Sequence, residues 1–122
     1  MNSENINQIL IFENVAIQPL TVEVGYDRQL DHLIADLNPS TPWGERKHAA
    51  EQLGNLGNPL AVPALTEALT NDPFWMVRTA IIQALEKIGD TSAIPTLTSV
   101  ASSDGFQVVR AYAAKAIERL SR

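Results

Sequence analysis

The chain has 122 residues, and its 14 acidic and 9 basic side chains give a formal charge of −5 at pH 7. This balance argues against a nucleic-acid backbone or an anionic membrane as the main partner, because both require clustered positive charge. The sequence contains no cysteine, which excludes disulfides, thiolate metal sites and a cysteine nucleophile. We find no signal-peptide pattern and no apolar run long enough to cross a bilayer, so we expect a cytoplasmic protein.

The first residues are predicted to form a segment distinct from the rest of the chain. Residues 20–24 alternate with β-branched side chains, which favours extended structure, and Pro19 would interrupt a helix here. Residues 9–12 would then pair with residues 20–24 in a hairpin; a distorted helix is the alternative. We therefore divide the chain into an N-terminal cap or tether, residues 1–26, and a repeat domain, residues 27–122.

A step of 32 residues separates Arg46, Arg78 and Arg110. The same step relates further residues of matched type: Leu53, Leu85 and Ile117; Leu56, Ile88 and Leu120; Gly57 and Gly89; Pro63 and Pro95. Such agreement at a single offset indicates an internal repeat of the length found in solenoid proteins.

Each period contains two predicted helices, which we call A and B. Helix A of the first complete period has Ala49, Leu53 and Leu56 at the i, i+4, i+7 spacing of one helical face. Gly57 follows at the point where a left-handed residue commonly ends a helix. The next period repeats this pattern with its own residues: Ile81, Leu85, Ile88 and Gly89.

Turn residues separate the predicted helices. Asn58 and Asp90 are expected to cap the B helices, because their side chains can accept hydrogen bonds from free backbone N–H groups. Thr41-Pro42 and Asp72-Pro73 are interpreted in the same way as caps that begin the A helices. The B helices are expected to bury their apolar residues: Val62, Leu65, Leu69, Ile94, Leu97 and Val100.

A two-helix unit of this length cannot cover its own apolar face, whereas stacked units bury one another. The sequence therefore predicts an all-α fold, a right-handed α–α superhelix (a solenoid) of about three 32-residue repeats. The extended or β N-terminal segment would cover its first repeat.

Residues 77–100, VRTAIIQALEKIGDTSAIPTLTSV, resemble the HEAT-like repeats of the phycobilisome-lyase type. The resemblance covers residues 27–120. It departs from the family pattern at Glu45, where valine is usual, and at Ser121, where glycine is usual. The resemblance implies an armadillo-like superhelix that serves as a protein–protein interaction scaffold. It also implies an alternative, an accessory subunit in bilin attachment or in phycobilisome assembly and degradation.

Charged residues recur at the turns that lead into the A helices. Asp72 and Arg78 are six residues apart, as are Asp104 and Arg110, and Ser40 precedes Arg46 at the same spacing. In HEAT proteins, aspartate and arginine in these places form a hydrogen-bonded ladder, because one guanidinium can bind a carboxylate and loop carbonyls together. The resemblance implies that role for Arg46, Asp72, Arg78, Asp104 and Arg110. A row of arginines that binds anions is the alternative.

Large apolar residues at the starts of the A helices form a first candidate surface for partner binding. Trp43 and Trp75 occupy equivalent positions, as do Phe74 and Phe106, and Met76 follows Trp75. Aromatic residues and methionine are favoured anchors in protein interfaces. Packing between successive repeats is the alternative, in which Phe74 and Phe106 belong to the core and Trp75 is the better surface candidate.

The outward face of the B helices is a second candidate surface. It would form a mildly acidic groove suited to a peptide or helix with apolar and basic character, or it is an ordinary solvated face. Its residues are Asp31, Ile34, Asp36, Pro63, Thr66, Glu67, Thr70, Pro95, Thr98 and Ser99. The partner would be another protein, a phycobiliprotein under the alternative function, or a second copy of this chain.

Catalytic and metal-binding patterns are missing from the sequence. His32 and His48 are the two histidines, and their spacing fits no zinc motif. No serine lies in a nucleophile-elbow pattern. The sequence predicts a non-enzymatic protein that holds no cofactor or metal; direct bilin binding would require basic partners such as Arg28 or Lys47.

Overall fold

The computed structural model of the chain describes residues 28–122. The predicted cap, its hairpin and the boundary after residue 26 lie outside the described residues. Residues 28–35 are helical and are called α1. Five helices follow: α2 (Trp43–Leu56), α3 (Val62–Asn71), α4 (Trp75–Ile88), α5 (Ile94–Ser103) and α6 (Gln107–Leu120). Residues 28–122 contain no strand, which confirms the all-α prediction for this part of the chain.

Helices α2 and α4 end as the sequence predicts. Gly57 and Gly89 have φ angles of 67° and 80°, in the left-handed region that favours glycine. The caps that follow differ from the prediction. Asn58 and Asp90 accept hydrogen bonds within short 3-10 turns, at Pro59–Ala61 and Thr91–Ala93, and not at the start of a B helix.

The B helices begin after these 3-10 turns. Proline occupies the second position of both helices, Pro63 in α3 and Pro95 in α5. Proline fits the first turn of a helix because the N–H it lacks would have no partner there. Because the B helices begin after the 3-10 turns, their prolines lie in the first helical turn, where proline is tolerated.

The A helices begin later than predicted. Helix α4 starts at Trp75, and Asp72 accepts a hydrogen bond from the backbone N–H of Phe74 (3.0 Å) across the preceding turn. Helix α2 starts at Trp43, and Pro42 precedes it without a side-chain cap. The predicted capping role of Asp72 and Thr41 is thus wrong, because Phe74 and Pro42 occupy the N-cap positions and neither makes a side-chain cap hydrogen bond.

Residues 32–122 form one compact unit, in which the long helices stack on one another. Helix α2 packs on α4, and α4 packs on α6. Each short B helix packs most closely on the long helix that follows it, α3 on α4 and α5 on α6. The largest fully buried side chains are Leu53, Leu65, Leu69, Val77, Ile81, Ile82, Leu85, Leu97 and Val109. Most of the predicted core is therefore confirmed, while Leu56, Ile88 and Ile94 are only partly buried.

Gly54 allows a close approach of α2 to α4. A Cβ atom at Gly54 would lie 2.9 Å from the Ala84 Cα and 3.1 Å from the Ala84 Cβ. Because the nearest atom belongs to the backbone of another helix, no rotamer change can relieve this contact. Glycine at this position is therefore a packing requirement, although glycine lowers intrinsic helix stability.

Arginine and aspartate join the turns that precede α2, α4 and α6. The Arg46 guanidinium donates two hydrogen bonds to Asp72, Nε to Oδ2 at 2.7 Å and Nη2 to Oδ1 at 3.1 Å. Arg78 binds Asp104 in the same way, at 2.7 and 3.0 Å. The third nitrogen of Arg78 donates to the main-chain carbonyl of Asp72 (3.0 Å). We call this chain of contacts, which ends at Arg110, the ladder.

The ladder is buried where Arg46 meets Asp72. The side chain of Arg46 is 7% exposed and that of Asp72 is 1% exposed. Bidentate ion pairs in such a setting combine charge with fixed geometry, and removing one partner leaves a desolvated charge. Burial by itself raises the pKa of Asp104, but hydrogen bonds from Arg78 and the Phe106 N–H, with the charges of Arg78 and Arg110, outweigh it and lower that pKa.

Replacing Gly54 with alanine is expected to destabilise the protein by about 1–3 kcal/mol through overpacking against Ala84. Gly44 is the matched control, because it also lies in α2 and has no atom within 4 Å of an added Cβ. Gly44→Ala should stabilise the protein by up to about 1 kcal/mol through helix propensity. Urea unfolding measures both changes; equal effects of the two substitutions would contradict the packing role of Gly54.

Arg78→Ala is expected to lower the unfolding free energy by about 3 kcal/mol, because it leaves the Asp104 carboxylate without its main partner. Lys47→Ala breaks the exposed ion pair with Glu51 and should cost less than about 1 kcal/mol. Denaturant unfolding compares the two variants. A similar small cost for both would show that the ladder does not hold the turns together.

Acid should weaken the protein partly through Asp104. Its folded pKa lies below the ordinary value of 3.8, so its stabilising contribution is complete above about pH 4 and is lost as the pH falls through the folded pKa. Asp104→Asn should therefore reduce the dependence of unfolding free energy on pH below 4. Parallel pH profiles for the variant and the natural chain, measured by urea unfolding, would contradict this assignment.

Candidate functional site

Four aromatic rings form a continuous row along the starts of α2, α4 and α6. The centroids of Trp43 and Phe74 are 4.8 Å apart in an edge-on arrangement, and those of Phe74 and Trp75 are 6.4 Å apart. Trp75 then stacks on Phe106 at 6.0 Å with an interplanar angle of 19°. We call these four residues the aromatic row.

Exposure within the aromatic row differs from the prediction. Phe106, expected in the core, is 48% exposed, and that prediction is wrong. Trp75, expected to be the better surface candidate, lies between the rings of Phe74 and Phe106 and is half-buried. Met76 is also half-buried. Trp43 is 46% exposed. Phe106 is exposed because it lies at the end of the aromatic row, where no further ring of the described residues covers it.

A groove lies between α1 and α3 and has a volume of about 410 Å³. Its lining is mostly apolar and consists of Ile34, Ala35, Leu37, Asn38, Pro39, Ala64, Glu67, Ala68, Asn71 and Asp72. Two of these residues, Ile34 and Glu67, belong to the predicted B-helix face. Glu67 is exposed, whereas Asp72 is already bound to Arg46. We call this site the α1–α3 groove.

The other predicted B-helix residues do not join the α1–α3 groove. Thr70 and Ser99 line a separate cavity of about 310 Å³ beside the ladder residues Arg78 and Asp104. The remaining residues of that predicted face line neither cavity: Asp31, Asp36, Pro63, Thr66, Pro95 and Thr98. The predicted continuous surface is thus divided into two depressions.

The three threonine hydroxyl groups on this face are engaged within their own helices. Thr66 donates to the Pro63 carbonyl (3.0 Å), Thr70 to the Thr66 carbonyl (3.1 Å) and Thr98 to the Ile94 carbonyl (2.8 Å). Each hydroxyl retains acceptor capacity but has used its proton. Recognition on this face therefore depends on shape, apolar contact and the Glu67 carboxylate more than on hydroxyl donors.

Several groove residues were missed by the sequence analysis. Leu37, Ala64, Ala68 and Asn71 line the groove and were not singled out. The spacing of Ala64 and Ala68, four residues apart in α3, was the available signal, because two small residues on one helical face leave room for a ligand.

Chemistry that depends on metals or membranes finds no support in residues 28–122. His32 lies 3.8 Å from Asp36 in an exposed pair, and His48 is exposed. No cluster of three or more His, Asp or Glu side chains in this range is placed to hold a metal ion. No helix in the same range combines the length and hydrophobicity required to cross a bilayer. The non-enzymatic character of the protein stays a prediction.

Comparison with known proteins identifies the architecture. No curated protein matches the chain. The family profile described as HEAT repeats matches residues 30–118, which include α2 to α5 and nearly all of α6. This range is well over half of the sequence and contains the ladder and the α1–α3 groove. The chain therefore belongs to the family of HEAT-repeat proteins.

Proposed function

We propose that this protein is an interaction scaffold that holds a segment of another protein in the α1–α3 groove. HEAT repeats generally mediate protein–protein interaction. The observation that carries the proposal is the groove itself, a concave apolar site of about 410 Å³ with an exposed carboxylate, Glu67, in its lining. A concave, largely apolar site with a few placed polar groups is the usual form of a binding pocket.

The lining of the groove defines the kind of partner. Ala64 and Ala68 keep it open, and Ile34, which is half-buried, offers apolar contact from α1. The lining includes no Lys or Arg, so its one exposed charge is negative. A short helix or extended peptide with apolar side chains and a nearby basic residue would complement this surface.

The repeat architecture supports the same proposal. We infer that residues 32–122 follow the right-handed superhelix of HEAT solenoids, with α3 and α5 on a common face. Parallel stacking of the long helices, which such a superhelix requires, supports this inference. Trp75 meets Phe106 at the starts of α4 and α6, and Glu86 binds Arg119 near their ends, so these two helices run in the same direction.

A role in bilin attachment or phycobilisome turnover is less well supported. The propionates of a linear tetrapyrrole would require cations, and the groove lining provides none. Lys47, one of the basic residues considered for this role, is paired with Glu51 at 2.7 Å. Absorbance and fluorescence of an added linear tetrapyrrole should stay unchanged in the presence of the protein; a spectral shift would favour the bilin role.

Partner binding tests the proposed groove directly. We expect affinity capture from the source cells to enrich a partner protein with the natural chain, and Glu67→Lys with Ala64→Lys to weaken its binding at least about tenfold, a loss of about 1.4 kcal/mol. Glu51→Lys is the control for the Glu67→Lys part of this variant, because it makes that same charge change at an exposed position of α2. Binding isotherms with the purified partner quantify the difference.

A Trp43→Ser variant separates the groove from the aromatic row. If the groove holds the partner, this variant binds as the natural chain does, provided that circular dichroism shows it folded. Loss of binding in Trp43→Ser together with retention in the groove variant would move the interface to the aromatic row. Equal binding by all variants would contradict both surfaces.

A further inference from the structure

A polar cavity of about 580 Å³ lies between the long helices α2 and α4. Side chains of these two helices line it, and α6 contributes Arg119 at one edge. It shares no residue with the α1–α3 groove or with the smaller cavity beside the ladder. We call this site the α2–α4 cavity. Because its lining is separate, a ligand can occupy it whether or not the groove is filled.

The α2–α4 cavity exists because α4 carries a small residue where its neighbours carry large ones. Ala80 and Ala84 are the two buried residues of the lining, so they form its floor. At the repeat position of Ala80, α2 has His48 and α6 has Tyr112. A larger residue at position 80 would fill part of this space. The cavity is therefore a departure from the repeat and not a consequence of it.

One charge in the lining of the α2–α4 cavity has no opposite charge beside it. The two acids of the lining, Glu51 and Glu86, each bind a basic side chain. Lys87 instead donates from Nζ to Oδ1 of Asn55 (2.8 Å), which is a neutral amide, and it forms no ion pair with a carboxylate of residues 28–122. The unpaired charge of the cavity is therefore positive.

Amide groups surround this cation. Asn55 uses only one hydrogen of the Lys87 ammonium, which can donate to further acceptors. Gln83 lies one helical turn before Lys87 in α4, and Gln52 lines the cavity from α2. Neither glutamine side chain makes a hydrogen bond within residues 28–122, so both can donate to a ligand. A cation and free amide donors above a small apolar floor complement a carboxylate on a short aliphatic chain.

We propose that the α2–α4 cavity binds an acidic segment of a partner protein. A glutamate or aspartate of that segment accepts from Lys87, and its methylene groups rest on Ala80 and Ala84. Five of the nine lining residues are exposed, so a ligand here stays partly open to water. Sites for free small molecules bury most of their ligand, whereas a protein segment gains further contacts outside the cavity. The exposed acid of the α1–α3 groove selects the opposite charge, so the two sites suit different partners.

A peptide of alternating glutamate and alanine, with both ends blocked, is the probe, and the same peptide with glutamine in place of glutamate is its control. We expect titration of the glutamate peptide into the ¹⁵N-labelled protein to shift the side-chain amide resonances of Gln52, Asn55 and Gln83. The side-chain amide of Asn71, which lines the α1–α3 groove, should not shift. The glutamine peptide should bind about fivefold more weakly, and added salt should reduce this difference.

Protein variants assign the effect to Lys87. Lys87→Gln should weaken binding of the glutamate peptide about fivefold, because it removes the unpaired charge. Lys115→Gln is the matched control, since it makes the same charge change at an exposed position of α6 outside the lining. Gln83→Lys should strengthen binding, because it adds a cation one turn from Lys87. All three positions are exposed, so these variants are expected to fold.

Each contrary result has a distinct meaning. Equal affinity for the two peptides, equal losses in Lys87→Gln and Lys115→Gln, shifts confined to the α1–α3 groove, or no shift at millimolar peptide would overturn the proposal. Free glutarate that produces the same shifts at the same concentration as the peptide would also overturn it, because the cavity would then be a site for small carboxylates. The groove is tested separately through Glu67, so none of these results bears on the proposed function.

Discussion

Arginine and aspartate pair through two hydrogen bonds across successive turns, and these pairs set where the long helices begin. Asp72 shows how this works, because its carboxylate binds back to Arg46 while its main-chain carbonyl binds forward to Arg78. The same carboxylate also accepts from the Phe74 N–H. One residue thus fixes the turn before α4, the direction in which α4 begins and the distance to the turn before α2. A carboxylate that is buried without a partner destabilises the fold, whereas one with all its hydrogen bonds made, as in Asp72, does not.

Both candidate surfaces follow from these fixed turns. Because the long helices begin side by side, Trp43, Phe74, Trp75 and Phe106 meet in the aromatic row. The ladder touches this row where the Arg78 guanidinium lies 5.8 Å from the centre of the Phe106 ring. On the B-helix side, the Asp72 carboxylate is neutralised by Arg46, so the α1–α3 groove has one exposed acid, Glu67, in a mainly apolar lining. Its selectivity therefore depends chiefly on shape and on this single charge.

Periodicity predicted what every copy shares, and it failed where the copies differ. The 32-residue step located the ladder arginines, the left-handed Gly57 and Gly89 and most of the core. It treated Phe106 as the equal of Phe74, although only Phe74 has a ring on each side. Periodicity gave no sign that Gly54 is required, because the equivalent residues are Glu86 and Glu118. The need for glycine arises from a single contact, with Ala84. The groove combines α1 with α3, so no pattern within one helix could delimit it.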